Sequence, residues 1–408
     1  MSLLANKRIL LSVGGGIAAY KAAEIVRALD AAGASVQVAM TPAATAFIAP
    51  LTLQALSRQP VATELLDPTE DASIGHIRLA EEADAVLVAP ATADLCARMA
   101  AGMADDIVTC TLLATRAPVV VAPAMNSAML EHPATVANLE RLAAYGYRIV
   151  DSDRGVLACG TEGPGRLPDP EILLAELEAA LAPQDLAGVR VLVTSGPTRE
   201  PIDPVRYITN RSSGRMGHAV ARVAARRGAE VTLVTGPTGL TPPHAVEVVD
   251  VESAADMRAA VGERVAGQDV VIAVAAVADY RPVEVAEQKI KRAGADSMTL
   301  ELERTDDVLA AAAKAAGERI VVGFAAETEE VAAHARGKLE RKGLDLIVAN
   351  DVSRPDAGFE VDTNRALLID RDGGEEDTGL VSKVELADRI LDRIAALRGD
   401  TAARTERR

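Results

Sequence analysis

Residues 8–16 read RILLSVGGG, and the fold turns on that stretch. Arg8–Val13 is a short apolar run, and Gly14, Gly15 and Gly16 interrupt it before an alanine-rich helical pattern and a second apolar run at Ser35–Met40. A strand-length run that ends in glycine and passes into a helix opens a parallel β-α-β unit, whose strands are buried on both faces and lose the polar alternation of a half-exposed sheet. The opening recurs at Arg190–Thr194, where the helix start is delayed to SSGRMG (Ser212–Gly217), followed by a helix through Arg227 and a strand at Val231–Thr235. Further strand candidates fall at Ala85–Ala89, Val119–Val121, Arg148–Val150, Val270–Ala275, Ile320–Phe324 and Leu346–Val348, most of them separated by helical stretches. The spacing predicts an α/β protein of two Rossmann-like domains, each a parallel sheet covered by helices. They are expected at residues 1–181 and 189–396, with a linker at 182–188 and a polar, frayed tail at 397–408. In the second domain, alternation at Ser297–Glu303, a strand candidate at Ala366–Asp370 and a turn at Asp372–Gly374 before Leu380–Val384 predict an antiparallel extension of the sheet.

Composition limits the classes of function. The 408 residues carry a formal charge of −16, are 49% hydrophobic and 25% charged, and include 2% aromatic residues with no Trp. That length allows each of two domains its own core. The acidic balance and the lack of aromatic platforms argue against a nucleic-acid partner, and the charge argues against an anionic membrane surface; local basic clusters remain able to bind phosphorylated small molecules. Apolar runs are strand-sized, so no membrane span is expected. With 3 Cys and no targeting segment before RILLSVGGG, a reducing, cytoplasmic setting is expected. Cys96 and Cys110 fall in alanine-rich helical patterns without metal-ligand spacing, so they read as packing residues and no zinc site is expected.

In the first domain Gly14–Gly16 either let an anion approach backbone amides at a helix start or close a tight turn. Lys21 and Thr41 are candidates to reinforce phosphate binding. The segments VLVAPATADLCARMAAGMADD (86–106) and VVVAPAMNSAM (119–129) bring Ala89, Pro90, Ala91, Thr92 and Asn126 to the carboxyl edge of the sheet, where the ligands of parallel sheets gather. Asn126 is a turn cap or a ligand contact. His76, in ASIGHIRLA, is either structural or an acid or base titrating near neutrality. Cys159 stands among glycines and a proline in LACGTEGPGR (157–166), which is not where a thiol kept for packing is usually found.

Taken in order, SVGGGIAAYK, ASIGHIRLAEEAD, APATADLCARMAAGMADD, PAMNSAM and ACGTEGPGR resemble the FMN-dependent phosphopantothenoylcysteine decarboxylases over residues 6–180. The resemblance implies a flavodoxin-like domain that forms trimers, with FMN near a subunit interface and in contact with Gly14, Gly15, Gly16, Thr41, Ala89, Pro90, Ala91 and Thr92. It gives His76 an early proton-transfer and positioning role, Asn126 the orientation of the substrate, and Cys159 the role of catalytic acid. A cysteine carboxylate has no adjacent electron sink. The family meets this by oxidising the side chain to a thioaldehyde-like species, losing carbon dioxide to give an ene-thiolate, and then reducing and protonating that to 4'-phosphopantetheine. The loop around Cys159 would close over the substrate as a flap.

In the second domain TSGPTREPIDPVRYITNRSSGRMG (194–217) is longer than a plain connection requires. Its glycine and serine backbone suits a phosphate, and Arg206 or Arg211 suits the charge. Asp279 follows a strand in VIAVAAVADYRP, EQKIKR supplies Lys289, Lys291 and Arg292, Phe324 ends a strand in VGFAAETEE, and Lys338 and Lys342 share a helical face in GKLERKG. Each alone reads equally as a surface feature. Together GPTREPIDPVRYITNRSSGRMG, AAVADYRP, KIK, GFAAET and AND (Ala349–Asp351) resemble the bacterial CTP-using phosphopantothenate-cysteine ligases over roughly residues 189–395. The resemblance implies a dimerising extension, activation of 4'-phosphopantothenate by CTP as an acyl cytidylate, and capture of that intermediate by the cysteine amine with loss of CMP. Asn210 matches the residue that stabilises the intermediate, Lys289 the lysine of nucleotide binding and turnover, and Arg206 a substrate contact. The nucleotide region is then Ala273, Val274, Ala275, Asp279, Asp306, Asp307, Val308, Leu309, Phe324, Lys338 and Lys342, with Mg²⁺ at Asp279.

The two resemblances in one chain match the bifunctional enzymes of coenzyme A biosynthesis, in which ligase dimers link decarboxylase trimers into a dodecamer. Two departures stand out. Asp306 replaces a common proline, and Gly14 stands where Thr or Ser often precedes two glycines. The alternatives are an enzyme with one active half, or an FMN-binding regulatory subunit that inhibits a phosphatase. The joint presence of His76, Asn126 and Cys159 and the absence of a long acidic tail weigh against the regulator.

Overall fold

The computed structural model describes residues 2–66, 75–291, 297–327, 330–351 and 361–405, with the backbone alone at 327, 351 and 400–405. Of the quoted motifs, residues 72–74, Arg292, Thr328 and Glu329 lie outside the described residues. The chain divides into two compact units, Ser2–Pro183 and Gln184–Arg408.

In the first unit β1 (Arg8–Val13), β2 (Ser35–Met40), β3 (Val61–Ala62), β4 (Ala85–Ala91), β5 (Val119–Pro123) and β6 (Arg148–Ile149) form one sheet in the order β3-β2-β1-β4-β5-β6. All its pairings are parallel, with Ile9 opposite Val36 on one side and Ala85 on the other. Every residue of β4 and β5 is buried, which is why these strands read as unbroken apolar runs. Ile25, Val26 and Leu29 of the helix Ala22–Ala31, with Leu173 and Leu177 of the helix Pro170–Leu181, pack on one face against Ile9, Leu11 and Val13. The opposite face receives Leu95, Cys96 and Met99 of Ala93–Ala100 and Ile107, Val108 and Leu112 of Ile107–Ala114. Burial pushes the Cys96 thiol up to about 12, as suits a packing residue. A hairpin of β7 (Asp153–Val156) and β8 (Glu162–Arg166) follows, and composition gave no sign of it because its strands are glycine- and charge-rich.

The second unit has β9 (Arg190–Ser195), β10 (Arg199–Pro201), β11 (Tyr207–Thr209), β12 (Glu230–Thr235), β13 (Val246–Asp250), β14 (Val270–Ala273), β15 (Tyr280–Pro282), β16 (Leu302–Arg304), β17 (Ile320–Glu327), β18 (Leu346–Asp351), β19 (Thr363–Asp370) and β20 (Glu375–Ser382). Its main sheet runs β13-β12-β9-β14-β17-β18-β19-β20, parallel as far as β18 and antiparallel beyond it. The expected extension is therefore present in β19 and β20. Ser297–Glu303 is not part of it: Leu302–Arg304 pairs instead with Tyr280–Pro282 in a separate ribbon, and β10 pairs with β11 in another. The alternation of SMTLELE was misleading because its residues from 301 to 303 stay exposed, so no core face selects a place in the sheet.

The helix Lys383–Thr405 carries Leu386, Ile390, Ile394 and Leu397 at helical spacing, all buried with Val220 and Val223 of the helix Arg215–Arg226 against the main sheet. The backbone of residues 397–405 is helical. Among the described residues no helix is long and apolar enough to cross a membrane. Because Ile390 is fully buried, Ile390→Ala should cost about 3 kcal/mol. Urea unfolding should show the transition of the second unit moved to lower denaturant and that of the first unit unchanged.

Candidate functional site

A chain of backbone hydrogen bonds assembles the carboxyl edge of the first sheet. Gly14 N–H donates to Pro90 O (3.0 Å), Thr41 N–H to Val13 O (3.1 Å) and Ala124 N–H to Ala91 O (3.0 Å). These contacts bring Gly14–Gly16, Thr41, Ala89–Thr92 and Asn126 together, as the sequence led us to expect. A Cβ at Gly14 would lie 2.4 Å from Pro90 O and one at Gly15 2.3 Å from Ala43 Cβ, so only glycine permits this approach. Two of the hydroxyls have local duties: Thr41 Oγ1 accepts from Ala44 N–H (3.2 Å), and Thr92 Oγ1 caps Ala93–Ala100 by accepting from Leu95 N–H (3.2 Å). Lys21 is engaged within the scaffold. It is buried, and its Nζ donates to Leu167 O (3.1 Å) and Asp169 Oδ1 (3.4 Å), which ties two helices of the scaffold. His76 lies in the first turn of Gly75–Glu82, and its Nδ1 is sealed from solvent with no hydrogen-bond partner among the described residues.

The hairpin docks onto the segment after β5. Met125 N–H donates to Gly165 O (2.9 Å) and Ser127 Oγ to Pro164 O (2.6 Å). The approach is close: a Cβ at Gly165, whose φ is +120°, would lie 2.1 Å from Met125 O. Docking carries the turn between β7 and β8 to Asn126, whose Nδ2 donates to Cys159 Sγ at 3.3 Å while its Oδ1 accepts from Ala128 N–H at 2.9 Å. Thr161 Oγ1 lies 3.1 Å from the same sulfur. Hydrogen bonds from the Thr161 hydroxyl and backbone, and then from Asn126, draw the exposed Cys159 thiol down to about 7. The sequence had singled out Asn126 and Cys159 but not Thr161. Both are thus brought together, and the Asn126 side chain serves as helix cap and thiol contact at once.

In the second unit a cavity of about 930 Å³ opens at the carboxyl edge between β9 and β14, where the strand order reverses. Asn210, Ala273–Ala275 and Asp279 line one side. Asp306–Leu309, Phe324, Lys338 and Lys342, also expected from the sequence, line it as well. Asn210 Nδ2 donates to Val277 O (2.9 Å), while Ala275 N–H donates to Thr194 Oγ1 (3.2 Å), fixing the segment beyond β14. Lys338 Nζ donates to Phe324 O (2.7 Å). Lys342 Nζ lies 2.6 Å from Asp307 Oδ2, and Asp307 also caps Val308–Ala316 through Ala310 N–H (2.9 Å). Burial opposes ionisation of Asp307, but the Lys342 and Ala310 hydrogen bonds outweigh it and hold the carboxyl below its usual range. The Asp306 carboxylate pairs with Arg258. Its charge is thereby offset, which softens the expected conflict with phosphate.

Arg206 and Lys289 are not among the residues lining this cavity. Arg206 is committed to Asp203 and to Ile290 O (3.0 Å), and Asp203 Oδ2 also accepts from Ile290 N–H (3.1 Å). This pair anchors the loop bearing Lys289, whose side chain is exposed. The Arg206 guanidinium holds the Asp203 carboxyl well below the usual carboxylate range. Asn364 and Lys383, which the sequence had not singled out, also line the cavity. Their only signal is positional, since they lie at the start of β19 and just after β20. Among the described residues no group of three His, Cys, Asp or Glu is arranged to hold a metal.

Comparison with known proteins agrees with this division. Residues 2–181 match the Flavoprotein family, and residues 186–397 match the DNA/pantothenate metabolism flavoprotein C-terminal domain. The coenzyme A biosynthesis bifunctional protein CoaBC of Vibrio cholerae is 51% identical over 96% of this chain and 98% of its own length. That of Escherichia coli K12 is 51% identical over 96% and 97%, and that of Bacillus subtilis 168 is 46% identical over 99% and 100%. A crystal structure of the C-terminal domain of a CoaBC is 44% identical, covers 53% of this chain and 99% of its own, and superposes with a TM-score of 0.46. The chain belongs to the family of coenzyme A biosynthesis bifunctional proteins, a decarboxylase joined to a phosphopantothenate-cysteine ligase.

Proposed function

We propose that the second unit condenses 4'-phosphopantothenate with cysteine at the expense of CTP, and that the first decarboxylates the phosphopantothenoylcysteine so formed to 4'-phosphopantetheine with FMN. The observation that carries the reading is the grouping of residues at the two sheet edges: Asn126 against Cys159 in one unit, Asn210 with Lys338 and Lys342 around one cavity in the other.

In the ligase step a carboxylate oxygen of 4'-phosphopantothenate attacks the α-phosphorus of CTP and pyrophosphate leaves. The cysteine amine then attacks the acyl carbon of the cytidylate and CMP leaves. Lys338 and Lys342 offer two cations to the polyphosphate, which competes with Asp307 for Lys342. Asn210 stabilises the activated intermediate, and Lys289 reaches the nucleotide from the loop anchored by Arg206, which itself contacts the substrate. Asp279 would hold an Mg²⁺ ion together with the phosphates, whose charge the ion would offset; such an ion is commonly bound by one or two carboxylates and the phosphates, so a full protein cage is not required.

For the decarboxylase, Ser12 Oγ near the end of β1 and His76 Nδ1 are buried polar atoms with no hydrogen-bond partner among the described residues, which supports a polar ligand at this edge. Gly14–Gly16, Thr41 and Ala89–Thr92 would hold FMN, which would supply a reversible store for hydride that the substrate itself lacks. Asn126 orients the substrate, His76 positions it and moves the first proton, and Cys159 Sγ delivers a proton after carbon dioxide has left. A thiol near 7 suits that task, because an acid works best with its pKa close to the operating pH. Ile17 and Tyr20, just after the glycine loop, and Phe47 and Leu51, on the segment after Thr41, are 60%, 55%, 48% and 71% exposed and support coverage by another subunit in a trimer, with ligase dimers completing a dodecamer. The unpaired state of all three cysteines suits a reducing cytoplasm.

Asn210→Ala should abolish CMP formation while sparing decarboxylation of supplied phosphopantothenoylcysteine. Cys159→Ala should spare CMP formation and accumulate an oxidised, decarboxylated intermediate visible by mass. Ordinary phosphopantetheine from Cys159→Ala would show that the acid is elsewhere. Gly165→Ala, which forces the hairpin off Met125, should lower decarboxylation at least about ten-fold in steady-state assays with ligation intact.

A further inference from the structure

We propose that Thr161 is the positioning residue of the decarboxylation, fixing the Cys159 sulfur beside Asn126 and holding the thiolate left when its proton is delivered. The inference rests on the reading of Cys159 as the proton donor. The turn carrying both residues is closed by Leu157 N–H donating to Thr161 O (2.8 Å) and Gly160 N–H to Leu157 O (2.9 Å). This folds Thr161 back until its Oγ1 is 3.1 Å from Cys159 Sγ, on a sulfur that Asn126 Nδ2 also reaches at 3.3 Å.

During delivery the Cys159 S–H bond breaks, a C–H bond forms on the substrate, and the former S–H electron pair stays on sulfur. The anion is exposed to solvent, so its stabilisation comes from donors aimed at it. The Thr161 hydroxyl, the Thr161 N–H and the Asn126 amide are those donors, and water returns the proton before the next turnover. The ionisable side chains on the surrounding elements are Asp153, Arg154, Glu162 and Arg166 on the hairpin, and Glu131 and His132 beyond Ser127–Leu130. The hydrogen bonds of Thr161 and Asn126 outweigh any charge among them in setting the thiol. Asn126 is already committed through Oδ1 to Ala128, so its amide is held in place, and Thr161 supplies the remaining side-chain donor.

The test is the pH dependence of iodoacetamide alkylation of the full-length protein, with Cys159→Ala as the baseline. Cys96 is buried with its thiol raised to about 12, and that of Cys110 is also raised, so the reaction between pH 6 and 9 reports Cys159. The wild-type midpoint is expected near 7. Thr161→Val should raise it by about one unit, cutting the rate at pH 7 about five-fold, while Thr161→Ser keeps it low. The alkaline limb of kcat for decarboxylation should move up with it, because the thiol stays protonated to higher pH. Thr161 is exposed, so the valine leaves the fold intact. An unmoved midpoint in Thr161→Val, with Cys159→Ala inactive, overturns the role of Thr161 alone. Normal phosphopantetheine formation by Cys159→Ala overturns the reading beneath it.

Discussion

A parallel sheet can connect successive strands only by right-handed crossovers over its faces, and that constraint delivers every strand end to the same edge. In both units the order reverses at the first strand, between β1 and β4 and between β9 and β14, so that the chains leaving two adjacent strands diverge over opposite faces and leave a crevice. Residues that follow those strands contribute to each candidate site. Gly14 and Pro90 meet across the first crevice; Thr194 and Ala275 meet across the second. The chemistry differs between the units because the loops differ, while the scaffold that positions them is the same.

The first site needs one further device. Parallel strands bring Asn126 to the edge, but Cys159 lies more than thirty residues further on and reaches it only through the docked hairpin. That hairpin buries little apart from Gly163 and Gly165, and two hydrogen bonds to Met125 and Ser127 fix its position. An element held this lightly is drawn from the low-stability end of the structure, where catalytic loops that must admit and release substrate are found. The thiol is therefore tuned locally, by Thr161 and Asn126, and not by burial in a rigid core as Cys96 is.

The parallel strands were legible in the sequence because full burial leaves an unmistakable mark: RILLSV and AVLVAPA carry no exposed face to encode. The hairpin around Cys159 was not, since its pairing comes from docking by glycines and not from strand-forming side chains. Ser297–Glu303 failed in the opposite sense, having alternation without a core to select it. At the candidate sites Asn126 follows β5 and Asp279 follows β14, as read from the sequence, whereas Phe324, expected to end its strand, lies within β17, which continues to Glu327. Contacts that depend on the path of a side chain were not legible: Lys21, one candidate to reinforce phosphate binding, is tied to Leu167 and Asp169, and the pairing of Arg206 with Asp203 left no mark in the spacing. Asn364 and Lys383 reach the second cavity from the antiparallel extension, a convergence that no local spacing encodes.

The central claim is that one chain carries two complete and successive sites. The most direct measurement supplies the purified full-length protein with CTP, Mg²⁺, cysteine and 4'-phosphopantothenate and follows the products by mass. The account predicts one CMP and one carbon dioxide for each 4'-phosphopantetheine, with phosphopantothenoylcysteine appearing first and then declining. CMP with phosphopantothenoylcysteine that persists and releases no carbon dioxide would contradict it.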